Sequence, residues 1–150
     1  MKLIAHRGNV FGPDTSRENS PDYIDDALSK KFDVEIDVRF INEQFYLGHD
    51  TPDYKIDFDW IISRSEFLWI HCKDLNSLNY FSSNYKKDLN YFWHQNDDYT
   101  LTSKNYIWVY PGKEYSPNSI VVMPEIFGQI NKLKQQNIIG VCSDFVGEIK

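Results

Sequence analysis

Glu35 and Asp37 stand two apart in the run Val34-Glu35-Ile36-Asp37-Val38. Side chains two apart on a strand point to one face, so this run sets two carboxylates side by side. Such a pair is costly unless a cation, a proton or a basic group sits between them. Upstream, His6-Arg7-Gly8 follows the short apolar run Leu3-Ile4-Ala5, and downstream Gly48-His49-Asp50 closes the segment. Histidine titrates near neutrality and can take or give a proton. Arginine suits a two-point hold on phosphate oxygens. Two histidines, two carboxylates and an arginine in the first third point to metal-assisted chemistry on a phosphate. Plainer readings compete: a carboxylate pair exposed beside Arg39, a satisfied core histidine at position 6, and Glu18 bracing the first loop.

The segments Ala5-His6-Arg7-Gly8, Glu18-Asn19-Ser20, Glu35-Ile36-Asp37-Val38 and Gly48-His49-Asp50 occur in an order that resembles the glycerophosphodiester phosphodiesterases. The wider group includes phosphatidylinositol-specific phospholipase C. The resemblance covers the first third of the chain, extends to Lys73 and is thin beyond residue 95. It implies a phosphoric diester hydrolase cleaving a small, glycerophosphodiester-like substrate. His6 and His49 would be the general acid and base. Glu35 and Asp37 would bind a divalent cation, magnesium, calcium or manganese, with His71 as a third ligand. Arg7, Lys73 and Glu18 would contact the phosphate or substrate. Two departures stand out. His71 occupies the place where the family has a glutamate, which favours a softer ion such as manganese or zinc or a metal-free site with a basic group in the cation's role. Thr51-Pro52-Asp53-Tyr54 is not the family's continuation, which bears on the glycerol-phosphate substrate more than on the reaction.

These residues need strands to carry them. Lys2–Ala5, Phe32–Phe40, Phe67–Cys72, Leu89–His94, Tyr106–Tyr110, Ser119–Met123 and Ile138–Ser143 read as strands, with Phe45–Gly48 a hairpin partner after an Asn42-Glu43 turn. Pro21–Lys30, Asn76–Ser83 and Ile126–Gln136 read as helices, and Asp57–Arg64 as a turn or two. Strands alternating with helices predict one domain, 1–150, folded as a small, compressed TIM-type (β/α) barrel with some outer helices shortened or missing. An open α/β sheet is the alternative. His6, Asp37, Lys73 and His94 then lie at strand C-terminal ends, where barrels of this kind place their sites. His94 and Asp144 read as structural, and Trp69, Trp93 and Trp108 as packing, with one of them lining the pocket.

The net charge is −6 and no segment is strongly basic, which excludes nucleic-acid binding through a broad cationic footprint. Cys72 and Cys142 lack metal-site spacing and read as reduced core thiols. The apolar start is too short for a signal peptide, and no stretch reaches the ~20 residues that span a bilayer. A cytoplasmic enzyme is expected, with a small-molecule phosphodiester as its partner and a second copy covering any apolar shell left by missing helices. The competing expectation is a non-catalytic binding protein for a phosphorylated sugar or lipid headgroup that keeps the phosphodiesterase pocket.

Overall fold

The computed structural model describes residues 1–85, 88–133 and 136–149. Its centre is one curled sheet of ten strands. In chain order the strands are β1 (Lys2–His6), β2 (Asp33–Ile41), β3 (Gln44–Leu47), β4 (Tyr54–Ile56), β5 (Leu68–Cys72), β6 (Tyr91–Phe92), β7 (Tyr99–Leu101), β8 (Ile107–Val109), β9 (Ser119–Val122) and β10 (Gly140–Ser143). The parallel run is β6-β5-β2-β1-β10-β9-β8. Two antiparallel additions flank it. β3 and β4 fold back on the far half of β2, and β7 pairs with β8. The β2–β3 turn has both Asn42 and Glu43 at positive φ, the geometry of a tight hairpin.

This is not the compressed TIM-type barrel expected from the sequence. The sheet is mixed and forms a half-barrel with few, short helices. Only α1 (Pro21–Ser29) and α3 (Leu75–Asn84) are substantial; α2 (Phe58–Ile62) and α4 (Ile130–Leu133) are a turn or so each. From residue 93 to 118 the described chain makes no helix. Tyr99–Leu101, which the sequence reading assigned to no element, is an antiparallel strand. The free edge of β6 is taken by a loop. Ser103 N donates to Tyr91 O at 2.8 Å and Tyr91 N donates to Ser103 Oγ at 2.9 Å. No ladder joins β6 to β8 among the described residues; the Phe92 and Trp108 rings meet across the seam at 4.6 Å. The helix expected over 126–136 is a 3-10 turn (Pro124–Phe127) followed by α4, broken by Gly128 at φ 62. Residues 134 and 135 of that expectation lie outside the described ones.

Strand alternation sorts the core. Ala5, Val34, Ile36, Val38, Ile70 and Val141 face outward, into the layer shared with Ile24 and Ala27 of α1 and Phe81 of α3. Ile4, Trp69, Phe92, Trp108, Ile120, Val122 and Cys142 face the inside of the curl. Burying such side chains is worth roughly 2–3 kcal/mol each, so much of the interior is filled by packing. Both thiols are free and buried, and burial pushes the Cys72 thiol up to about 12. Among the described residues no helix is long and apolar enough to cross a membrane.

Candidate functional site

On β1, β2 and β5 the inward positions nearer the strands' C-terminal ends are polar. On β2 the outward set is Val34, Ile36 and Val38, so Glu35 and Asp37 must face the inside. They are 2% and 0% exposed, which removes the surface-pair reading. The parallel register places His6 beside Glu35 and His71 beside Asp37. β1 then ends sharply. Arg7 sits at φ 54 and Gly8 at φ 92. A Cβ on Gly8 would come within 2.8 Å of the Tyr23 ring, so glycine lets α1 pack against this bend. The left-handed Arg7 backbone costs of order 1 kcal/mol and is held by two hydrogen bonds: Arg7 N donates to Glu35 O, and Asn19 N donates to Arg7 O, each at 3.0 Å.

That bend feeds a closed polar network. Arg7 Nη1 donates to Glu18 Oε2 at 3.1 Å, and Asn9 Nδ2 bridges Glu18 Oε1 at 3.0 Å and Asp144 Oδ1 at 2.8 Å. Asp144 Oδ1 also lies 2.8 Å from His6 Nδ1. An ionised carboxylate only accepts, so Nδ1 carries the proton and Nε2 is the atom left for chemistry. Burial lowers the His6 pKa, but Asp144 and Glu35 outweigh it and the net shift is upward. Burial likewise raises Asp144, and His6 and Asn9 reverse it to a net fall. Asp144 is in turn set by Glu125, whose Oε1 accepts from the Asp144 amide at 3.0 Å and whose Oε2 accepts from Ser143 Oγ at 2.9 Å.

Asp37 is gripped from behind by Asn19, which donates Nδ2 to Oδ2 and accepts the Asp37 amide, both at 2.9 Å. Arg7 Nε lies 3.0 Å from the same Oδ2 but is not aimed along a hydrogen bond, so that contact is charge attraction. Oδ1 faces His71 Nδ1 at 3.2 Å and Lys73 Nζ at 3.8 Å. Glu35 Oε1 is 3.6 Å from His71 Nδ1. Glu35 Oε2 and Asp37 Oδ1 are buried with no hydrogen-bond partner. Burial tends to raise the Asp37 carboxyl, yet His71 and Arg7 hold it well below the usual carboxylate range. For His71 burial works downward, and the two carboxylates lift it to about 9.

One oxygen each from Glu35 and Asp37 and one His71 nitrogen fall within 4.8 Å of one another, a group that could hold a metal ion. The donor set fits. His71 Nε2 donates to the His94 carbonyl at 2.8 Å, which fixes the tautomer and turns Nδ1 toward the carboxylates. A backbone carbonyl behind a histidine ligand is a common outer-shell arrangement. Asn19 does the same service for Asp37. Two orphaned carboxylate oxygens supply the charge a divalent cation neutralises.

His49 arrives on a different device. Gly48, at φ 143, turns the chain out of β3 where a Cβ would collide with the Thr51 carbonyl. Arg39 reaches from β2 to pin the loop, donating Nη2 to His49 O at 2.6 Å and to Asp50 O at 3.2 Å, and Nε to Gly48 O at 3.3 Å. His49 Nδ1 lies 2.7 Å from Asp50 Oδ1, and the side chain is 38% exposed. Lys73 follows β5 directly. Its amide donates to Val38 O, and the next residue, Asp74, caps α3 through Ser77 N at 2.7 Å and accepts the Phe40 amide at 3.0 Å.

His6, Arg7, Glu35, His49, His71 and Lys73 line one cavity of about 550 Å³, with His94, Trp108 and Tyr110 among its other walls. No family model, curated protein or solved structure matches this chain. The site therefore stands on its own geometry. Asp37 lies beneath the cavity floor, and Glu18 stands behind Arg7 and Asn9 as a brace. Three residues gained a place that sequence reading did not give them. Asp144, read as structural, anchors His6; the only available signal was its position after the last strand, which the β1–β10 register sets beside His6. Asn9 follows the His6-Arg7-Gly8 segment and carried no pattern. Arg39 was seen to share a face with Glu35 and Asp37, but its grip on the His49 loop needs the hairpin.

Proposed function

We propose that this chain is a phosphodiesterase that hydrolyses a small phosphodiester by paired histidine acid/base catalysis. The observation that carries the reading is the single cavity lined by His6, His49, Arg7 and Lys73 around the Glu35–Asp37–His71 group. Arg7 and Lys73 are the cations available to non-bridging phosphoryl oxygens, where they offset charge that builds in the transition state. One histidine takes the proton of the attacking hydroxyl as the new P–O bond forms. The other protonates the leaving oxygen as the old P–O bond breaks. Asp144 and Asp50 hold the Nδ1 atoms of the two rings, so each keeps Nε2 for transfer. A divalent ion held by Glu35, Asp37 and His71 would supply Lewis-acid polarisation of the phosphoryl group; magnesium, calcium and manganese are the candidates, with manganese favoured by the imidazole ligand. The motif order shared with glycerophosphodiester phosphodiesterases supports the same reaction class.

A metal-free version has one observation in its favour. His71, lifted to about 9, is itself a cation between the carboxylates at neutral pH. The deciding experiment is hydrolysis of a phosphodiester panel by wild type and His6→Ala, with magnesium, calcium, manganese or chelator. Activity lost in the variant and in chelator supports the metal-dependent enzyme. Activity lost in the variant but kept in chelator supports the His71 cation. Binding of diesters without turnover by the wild type would replace the enzyme with a binding protein.

A further inference from the structure

The cavity has two unlike walls beside the polar stretch His94-Gln95-Asn96. The β1–β2–β5 wall carries the charged groups. The β8–β9 wall is Trp108, Tyr110, Pro111, Val122, Met123 and Ile126. Trp108 and Val122 belong to the inner packed cluster. Met123 is held in the left-handed region at φ 45, with its amide donating to Cys142 O at 2.7 Å. A non-glycine residue in that conformation is strained, and such strain gathers at ligand clamps. Here it directs a long, adaptable apolar side chain onto the cavity. Ile126 and Tyr110 are 59% and 41% exposed at the rim. Glu125, the nearby carboxylate, is turned away to Ser143 and Asp144.

Resting on the phosphodiesterase reading, we propose that the substrate carries an apolar ester group, a ring or a short alkyl chain, that lies on the Trp108–Val122–Met123–Ile126 wall. The phosphate would sit on the opposite, charged wall. A phosphate does not fill 550 Å³, and pockets of this size take a larger ligand. A glyceryl group on that wall would shed water and find only the Trp108 indole N–H and the Tyr110 hydroxyl as polar side-chain groups among those six residues. Unpaired hydroxyls of that kind are costly to bury, whereas an apolar group would cover Ile126 and Tyr110.

The test uses methylphosphonate monoesters, anions that resemble the diester, with phosphorus NMR after each titration to check that the ester is intact. Glyceryl, hexyl and phenyl members are titrated by calorimetry into wild type, Met123→Asn and Ile126→Ser. Asparagine tolerates the left-handed backbone at 123, and Ile126 is exposed, so both variants should fold; circular dichroism checks this. The hexyl or phenyl ester should bind at least about tenfold more tightly than the glyceryl ester. That preference should collapse in both variants, with glyceryl binding changed by no more than about twofold. Whichever of hexyl and phenyl is favoured distinguishes a chain from a ring. Equal or tighter glyceryl binding, a preference that survives both variants, or no binding of any member at millimolar concentration would overturn the proposal. Hydrolysis of the matching methyl diesters is scored separately. Apolar preference without turnover sinks the enzyme and leaves this subsite standing; turnover without preference does the reverse.

Discussion

The two histidines of this site are supported in opposite ways. His6, its side chain 14% exposed, sits in a network of side chains drawn from distant parts of the chain: Asn9 and Glu18 from the first loop, Asp144 from beyond the last strand. His49 rides on a hairpin loop at the surface, and its loop is fastened by one side chain, Arg39, to three backbone carbonyls. The first arrangement ties the proposed proton transfer to stability. The second lets the loop be altered with little cost to the fold.

The sharpest way to break this contrast is Asp37→Ala. The change strands Arg7, Asn19 and His71 around an empty space. Removing one partner of a buried charge network costs roughly 3–5 kcal/mol, and urea unfolding should show a loss of that order with activity abolished. A loss below about 1 kcal/mol would mean the floor is not interlocked. His49→Ala should do the opposite. Stability should stay within about 0.5 kcal/mol of wild type, as for most surface changes. Turnover should fall about 10²–10⁴-fold, the usual weight of a proton-transfer group. Melting and steady-state rates on one preparation check both halves.

Asp144→Asn probes the buried side more gently. The His6 pKa is raised above 6.5, so its share of stability is full below 6.5 and fades as pH rises through the folded value. The Asp144 pKa is depressed below 3.8, so its share is full above 3.8 and fades as pH falls through the folded value. The pair therefore contributes most between 3.8 and 6.5. In that window the variant should be less stable by about 2 kcal/mol, as expected for a hydrogen bond to a charged group, and the deficit should shrink at higher pH. Burial, no longer opposed by Asp144, should also move the His6 limb of the pH–rate profile to lower pH. A deficit independent of pH would separate His6 from Asp144.

The β2 segment was legible because alternation leaves little choice. Val34, Ile36 and Val38 demanded a buried face, and Glu35 and Asp37 were fixed opposite them. Pro21 and the Ile24–Ala27 spacing marked α1 for the same local reason. The compressed barrel expected from the sequence is not what forms, because what keeps the sheet from closing is non-local. Ser103 occupies the edge of β6 from a loop whose polarity marks a turn and does not reveal its docking place. His6's partner was hidden likewise: Asp144 reaches it through the β1–β10 pairing, between the two ends of the described chain.

The unclosed seam between β6 and β8 has a consequence for how this fold can change. A closed barrel has a girth set in steps by strand number and stagger, so its interior widens only by whole-strand rearrangements. Here the circumference is completed by Phe92 against Trp108. The opening can therefore be retuned by the size of two side chains, one of which already lines the cavity. Substitution at Trp108 gives a continuous route to new pocket widths with the His6–Asp144 and Glu35–Asp37–His71 supports left in place, whereas Phe92, stacked on His71 at 5.1 Å, changes width and support together.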